Sequence, residues 1–266
     1  MASDTSPNYI LKFETGAATH VGKVRSANED SLVVRPELGL WAVADGVGGH
    51  EAGQFASQTV VIDLGSIGPA VSQADQMARF KDRILRANDK VLHVREERDG
   101  VLIGTTVAAL LIYDETFTCA WMGDSRIYRI RDGRIEQLSR DHTEARELVE
   151  QGILTPEEAR TWPRRNVITR AIGIFDEPEV EEEHGTIEPG DTFLICSDGL
   201  TGHISDDEIT KMVENKRAQD ACDDLIEETL ARGATDNVTV IVVNSHRAER
   251  TNFVPGGQGD GAGVAT

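Results

Sequence analysis

Apolar residues in this chain gather into short β-rich runs, and the segments between and after them carry helical spacing. Six runs read as strands: "GLWAVAD", "TTVAALLIY", "TFTCAWMGD", "RIYRIRD", "DTFLICSD" and "NVTVIVVN". "YDETFT" and "IRDGRI" are tight-turn sequences between neighbouring runs, so much of the sheet is predicted to be antiparallel. "DQMARFKDRILRANDKVLHVREE" places Met77, Phe80, Ile84, Leu85, Val91 and Leu92 largely on one helical face. "AQDACDDLIEETLARG" ends in Arg232-Gly233, a helix stop, and "HEAGQFASQTVVIDL" is helix-like. Strands alternating with amphipathic helices predict an α+β sandwich, its sheets covered by helices on their outer faces. One stretch stands apart: "ILTPEEARTWPRRNVITRAIGIFD" holds two prolines and reads as short helices and loops inserted between strands.

The ends read differently from the middle. Residues 1–12 are predicted to be a flexible N-terminus and residues 246–266, Gly-rich with little to bury, a disordered tail. No long linker or fixed-period repeat falls between them, so residues 13–245 are expected to form one domain. A chain of 266 residues has room for a substantial core. Its longest unbroken apolar run, "VAALLIY", is far too short for a membrane span. "MASDTSPNYI" lacks the basic start and apolar stretch of a secretion signal, so a soluble, cytoplasmic protein with no membrane association is expected. Cys119, Cys196 and Cys222 form no C-x-x-C pair and read as buried free thiols. A net charge of −19 opposes nucleic-acid binding, which depends on Lys and Arg neutralising phosphates.

Part of that negative charge is not scattered. Asp45 closes "WAVAD", Asp124 closes "TCAWMGD", Asp198 closes "TFLICSD" and Asp236 opens "DNVTVIVV". Each sits at one end of a run apolar enough to be sheet core. Carboxylates at adjoining strand ends repel and lose hydration unless protonated or paired with cations. An all-oxygen set selects hard ions such as Mg²⁺ or Mn²⁺ over Zn²⁺. Gly46, lacking a side chain, lets its backbone carbonyl approach an ion. "GKVRSANEDS" adds Glu29 and Asp30 with Arg25 nearby, and arginine suits bidentate recognition of phosphate. Taken singly these residues have plainer readings. Asp99 and Asp132, each before Gly, are turns; Asp198-Gly199 is a turn or a ligand. Asp124 is a ligand or an ordinary strand-end residue, Asp236 a ligand or a turn cap, and Arg25 a phosphate ligand or a surface charge. Among the scattered histidines, His142 after Asp141 is the one to follow into the structure.

"GKVRSANEDS", "WAVADGVGGHEAG", "GTTVAALL", "WMGDSRIYRI", "LSRDH", "NVITRAIG", "CSDGLTGHI" and "ATDNVTVIVV" together resemble the type 2C protein phosphatases, the metal-dependent PPM class, in the family's own order. "DGVGGH" resembles the bacterial branch. The resemblance implies a four-layer αββα sandwich of two antiparallel sheets flanked by helices. It also implies hydrolysis of phosphoserine and phosphothreonine in proteins by a metal-bridged hydroxide. Asp45 is then expected to bridge two Mn²⁺ or Mg²⁺ ions, with the Gly46 carbonyl on one and Asp198 and Asp236 on the other. Asp124 would help hold a third, weaker ion. Arg25 would bind the substrate phosphate, and Glu29 and Asp30 would bind the second ion or orient its waters. Residues from about 143 to 183 correspond to the family's flap. Implied partners are phosphorylated proteins, and a serine/threonine kinase with its substrates; the protein itself is expected to be a monomer.

The chain departs from many eukaryotic relatives at Val47, where they carry a histidine proposed as general acid; His50 is a poor substitute, and the proton donor is unassigned. A cysteine-dependent mechanism is disfavoured, because Arg126 lies one position too far from Cys119 for C-x₅-R. An aspartyl-phosphate mechanism is disfavoured by the absence of D-x-D. The alternative is a phosphatase-like scaffold with weak catalysis that binds metal and protein partners.

Overall fold

A computed structural model describes residues 9–249, except for the side chain of His50. In chain order the strands are β1 (Tyr9–His20), β2 (Asp30–Arg35), β3 (Leu40–Val47), β4 (Gly104–Thr105), β5 (Val107–Tyr113), β6 (Thr116–Met122), β7 (Arg126–Arg131), β8 (Arg134–Gln137), β9 (Glu181–Thr186), β10 (Thr192–Cys196) and β11 (Val238–Glu249). The helices are α1 (His50–Gly65), α2 (Gln73–Glu97), α3 (Glu144–Glu150), α4 (Pro156–Thr161), α5 (Asp198–Thr201), α6 (Asp206–Val213) and α7 (Ala218–Ala231).

The strands form two antiparallel sheets. One is ordered β1-β11-β10-β7-β8; the other β2-β3-β5-β6-β9, with β4 pairing to β3. Side chains alternate between the two faces of a strand, and here both faces are covered, which is why the central strands read as unbroken apolar runs. Leu40, Ala42 and Ala44 of β3 pack with Val60 and Leu64 of α1 and Phe80 and Ile84 of α2. Trp41 and Val43, the alternate residues, face between the sheets with Phe193 and Ile195 of β10 and Ile241 and Val243 of β11. Val240 and Val242 turn the other way, onto Cys222 and Leu225 of α7. The order of layers is therefore helices, sheet, sheet, helices, as expected. Phe117 meets Phe193 edge-on across the middle layer, with ring centroids 5.1 Å apart.

Turn chemistry behaves as its residues dictate. Asp132 and Gly133 have φ of 50° and 69°, the left-handed pair that a two-residue hairpin requires between β7 and β8. Cys119, Cys196 and Cys222 are buried free thiols. No helix among the described residues is long and apolar enough to cross a membrane.

Four expectations need correction. Residues 9–12, predicted to be loose, pair with residues 246–249, predicted to lie in the tail, where β1 and β11 run alongside each other from Tyr9↔Glu249 to His20↔Val238. The remaining terminal stretches, 1–8 and 250–266, lie outside the described residues. Leu85 is exposed, because the inward face of α2 runs Met77, Phe80, Ile84, Ala87, Val91, one position out of step with it. The insertion's far bound of about 183 falls inside β9, which begins at Glu181 as an edge partner of β6.

Candidate metal centre

Because neighbouring strands run in opposite directions, the C-terminal ends of β3, β6 and β10 share one end of the sandwich with the N-terminal ends of β2, β7 and β11. The strand-end residues are therefore neighbours in space. Asp30 and Asp45 are direct cross-strand partners on β2 and β3, so both carboxylates point from the same face. Asp124 lies between β6 and β7, Asp198 immediately after β10, and Asp236 just before β11. Arg25, Glu29, Asp45, Gly46, Val47, Asp124, Asp198 and Asp236 line one pocket of about 300 Å³, with Asn237, and with Asn166 and Ile168 from the insertion.

The pocket is held from behind by groups tied to backbone atoms. The Asp45 amide donates to Thr106 Oγ1 at 3.0 Å, and Thr106 Oγ1 lies 2.7 Å from Ser125 Oγ. The Asp45 carbonyl accepts from Thr105 Oγ1 and from the Thr106 amide, each at 2.9 Å. Gly46 donates to the Glu29 carbonyl at 3.2 Å. A Cβ at Gly46 would lie 2.2 Å from the Gly53 carbonyl oxygen, so glycine here permits β3 and α1 to touch backbone to backbone. Asn237 spans the other side. Its Oδ1 accepts from the Glu29 amide at 2.8 Å, and its Nδ2 donates to the Val21 and Ala27 carbonyls, each at 2.9 Å.

Within this frame the carboxylates are crowded and poorly solvated. Burial, followed by the charges of Asp30, Asp198, Asp124 and Asp236, holds the Asp45 carboxyl well above the usual range. Burial raises Asp30 to about 7, although Thr239 and Ser197 donate hydroxyl hydrogen bonds to its Oδ2 at 2.7 and 2.8 Å. Burial raises Asp124 to about 8, with Asp198 adding to the shift. Asp198 rises to about 6, from burial and then from Asp236. Asp30 Oδ1 and Asp124 Oδ1 are buried without a hydrogen-bond partner, an arrangement that ordinarily calls for a ligand. The donors are all oxygen, the set that hard divalent cations take. The cluster is not a closed cage: among the described residues no three His, Cys, Asp or Glu side chains gather tightly enough to enclose an ion. Asp236 Oδ2 instead accepts from Arg25 Nη2 at 2.7 Å, at the solvent-facing rim. That contact is the main reason the Arg25 guanidinium binds its proton more tightly than usual.

Of the residues singled out from sequence, Arg25, Glu29, Asp45, Gly46, Asp124, Asp198 and Asp236 line this pocket. Asp30 lies beside Asp45 without lining it, hydrogen-bonded to Ser197 and Thr239, and His142 lines neither this pocket nor the groove beside it. Its Nδ1 accepts from the Gly123 amide at 3.1 Å and its ring stacks on Trp121, so it braces the turn that carries Asp124. Val47 lines the pocket and cannot donate a proton. Sequence reasoning missed Asn237, Thr106, Ser197 and Thr239. The first two lay in plain view beside Asp236 and within "GTTVAALL"; the hydroxyls of Ser197 and Thr239 gain meaning only when β10 and β11 pair.

Comparison with known proteins places this arrangement. A family model described as protein phosphatase 2C matches residues 20–242. The chain belongs to the protein phosphatase 2C family. It is 37% identical over 238 residues to the serine/threonine protein phosphatase PstP of Mycobacterium tuberculosis, a match covering 88% of this chain and 45% of that protein. The chain thus spans about half the length of that relative. The solved structure of PppA, described as a key regulatory component of T6SS in Pseudomonas aeruginosa, superposes with a TM-score of 0.84 at 36% identity, covering 90% of this chain and 100% of that one. The catalytic domain of PstP in complex with two manganese ions superposes with a TM-score of 0.78 at 33% identity, covering 90% and 99%.

Proposed function

We propose that this protein hydrolyses phosphoserine and phosphothreonine in proteins, with two divalent ions, Mn²⁺ or Mg²⁺, at the strand-end carboxylates. The observation that carries the reading is the meeting of Asp45, Asp124, Asp198 and Asp236 in one pocket with Arg25 at its rim. Asp45, the Gly46 carbonyl, Asp198 and Asp236 would hold the two ions, Asp124 a third and weaker one, and Glu29 and Asp30 their waters. Bound there, the ions bring a water's pKa toward about 7 and screen phosphoryl charge. The chain's own residues do the rest. Thr105, Thr106 and Asn237 fix the backbone that aims the carboxylates. Arg25 exchanges one oxyanion for another, turning from Asp236 to the substrate phosphate, where its fork can bind two oxygens. Asp236, whose Oδ2 now accepts from Arg25, would then be left free of that contact, as a residue that would help hold an ion must be.

Such a reaction opposes that of a serine/threonine kinase, and the kinase's phosphorylated substrates are the expected partners of a monomeric phosphatase. The test is release of phosphate from a phosphothreonine peptide by the purified protein. Turnover with Mn²⁺ that stops in excess EDTA and returns on adding metal back is the expected result. No turnover from folded, metal-supplied protein would overturn the reading in favour of a binding scaffold.

A further inference from the structure

Beneath the insertion between β8 and β9 runs a groove of about 580 Å³ that is continuous with the carboxylate pocket, since Asp124, Asn166 and Asp198 line both. Val149 of α3 and Pro156 and Ala159 of α4 supply its apolar wall. An extended peptide advances about 3.3–3.6 Å per residue, so a groove of this volume takes the few residues on one side of a phosphorylated side chain seated over the carboxylates.

The charges of this groove are unbalanced, in the opposite sense from the chain as a whole. Four arginines line it: Arg126, Arg146, Arg160 and Arg165. Arg126 is neutralised by Asp141, to which its Nε and Nη2 both donate, and Arg146 by Glu150 at 3.1 Å. The adjoining Arg164 is taken by Glu144 at 2.9 Å. Arg160 and Arg165 are exposed and have no ion pair among the described residues. The acidic residues on the lining are Asp141, already paired, and Asp124 and Asp198, which belong to the carboxylate pocket. In a protein of net charge −19, two uncompensated guanidiniums beside the site favour negative groups on whatever enters.

We propose that Arg160 and Arg165 make this groove a specificity subsite for acidic flanks. The favoured substrates carry Asp, Glu or a second phosphorylated residue within a few positions on one side of the phosphorylated residue. This rests on the phosphatase reading above. Planar guanidinium forks accept carboxylate and phosphate alike, and the experiment separates the two sources.

The test uses the full chain with Mn²⁺ and phosphothreonine peptides that differ only in the three positions before or after the phosphorylated residue, filled with Ala, Asp and Glu, Lys, or a second phosphothreonine. Hydrolysis of p-nitrophenyl phosphate, which has no flanks, is followed in the same preparation. Exposed ion pairs contribute about two- to fivefold each, so the acidic-to-neutral ratio of kcat/KM should reach roughly tenfold on one side and shrink with added salt. In the double variant Arg160→Gln/Arg165→Gln that ratio should fall below about threefold, whereas Arg→Lys at both positions should keep most of it. Preference for the Asp and Glu peptides assigns a carboxylate flank, and preference for the doubly phosphorylated peptide alone a phosphate flank; either supports the subsite. Turnover of p-nitrophenyl phosphate with a flat peptide series overturns it, as does a ratio that survives the double variant. Failure to hydrolyse any of these compounds would refute the phosphatase reading itself, and the subsite with it.

Discussion

Gly46→Ala tests whether backbone contact, rather than any side-chain chemistry, sets the position of the carboxylates. The added methyl would lie 2.2 Å from the Gly53 oxygen, 2.4 Å from the Gly53 carbonyl carbon and 2.8 Å from the Glu29 oxygen, where ordinary contact begins near 3.4 Å. All three are backbone atoms, so no side chain can rotate away. β3 and α1 must separate by about 1 Å, and overpacking of this kind costs about 1–3 kcal/mol. The Gly46 carbonyl and the Asp45 carboxylate travel with the strand, and a misplacement of about 1 Å at a reacting centre costs about 100-fold in rate. Alanine keeps the backbone carbonyl, so the loss reports displacement alone. Gly65→Ala, at the end of α1, is the matched control: its nearest contact would be Val33 Cγ2 at 3.6 Å, and it should be neutral or slightly stabilising. Urea unfolding gives the stability change, and Mn²⁺-dependent turnover of a phosphothreonine peptide gives the rate. A Gly46→Ala protein within about 0.5 kcal/mol and threefold of the parent would refute the backbone-contact argument.

Three further outcomes follow from the same geometry. In EDTA, the folded-state pKa values of Asp30, Asp124 and Asp198 lie above the ordinary 3.8, at about 7, 8 and 6; their contribution is fully present below pH 3.8 and lost as pH rises toward 8. Thermal unfolding of the metal-free protein should therefore show a midpoint falling from pH 5 to 8, and saturating Mn²⁺ should stabilise most at the upper end; a metal-free midpoint that rises would contradict the crowding. Asp198→Asn should abolish Mn²⁺-dependent turnover while stabilising the metal-free fold by about 1–2 kcal/mol at pH 7, measured by denaturant unfolding; unchanged or lower stability would count against repulsion. Asn237→Ala leaves the buried Glu29 amide without its partner and should cost about 1–3 kcal/mol, a loss that a denaturation midpoint equal to the parent's would exclude.

What could be read in the sequence was what burial on both faces makes conspicuous. "VAALLI" is apolar without interruption, and "NVTVIVVN" nearly so between its end residues, because alternate residues meet a helix layer and a second sheet. β9 could not be found that way. Its sequence, "EEEHGT", has no apolar residue, and it is a strand because β6 offers an edge and its own polar residues tolerate solvent. β1 is half-buried along most of its length, and its partner is the far end of the chain, so a local pattern said little. The aspartates were legible as a group because each ends an apolar run. Arg25 was legible as an arginine close in sequence to Glu29 and Asp30, but its contact with Asp236 was not, because that pairing spans the chain from β2's approach loop to β11's.

The carboxylates and the insertion divide the work in a way their supports explain. Asp30, Asp45, Asp198 and Asp236 repel one another, and a mobile support would relieve that strain by letting them drift apart. Strand ends rooted in two packed layers cannot drift, so the repulsion is available to be relieved by cations. Arg160 and Arg165 sit instead on α4 and in the loop after it, in an insertion joined to the core by contacts such as the bridge Thr105↔Ile172 and the bond from the Gly173 amide to Asn88 Oδ1. Loops tolerate substitution because little packing depends on them. On the proposed readings, changes at Arg160 or Arg165 are expected to alter the preference for flanking residues while leaving the carboxylate geometry in place, which the p-nitrophenyl phosphate rate of the double variant checks.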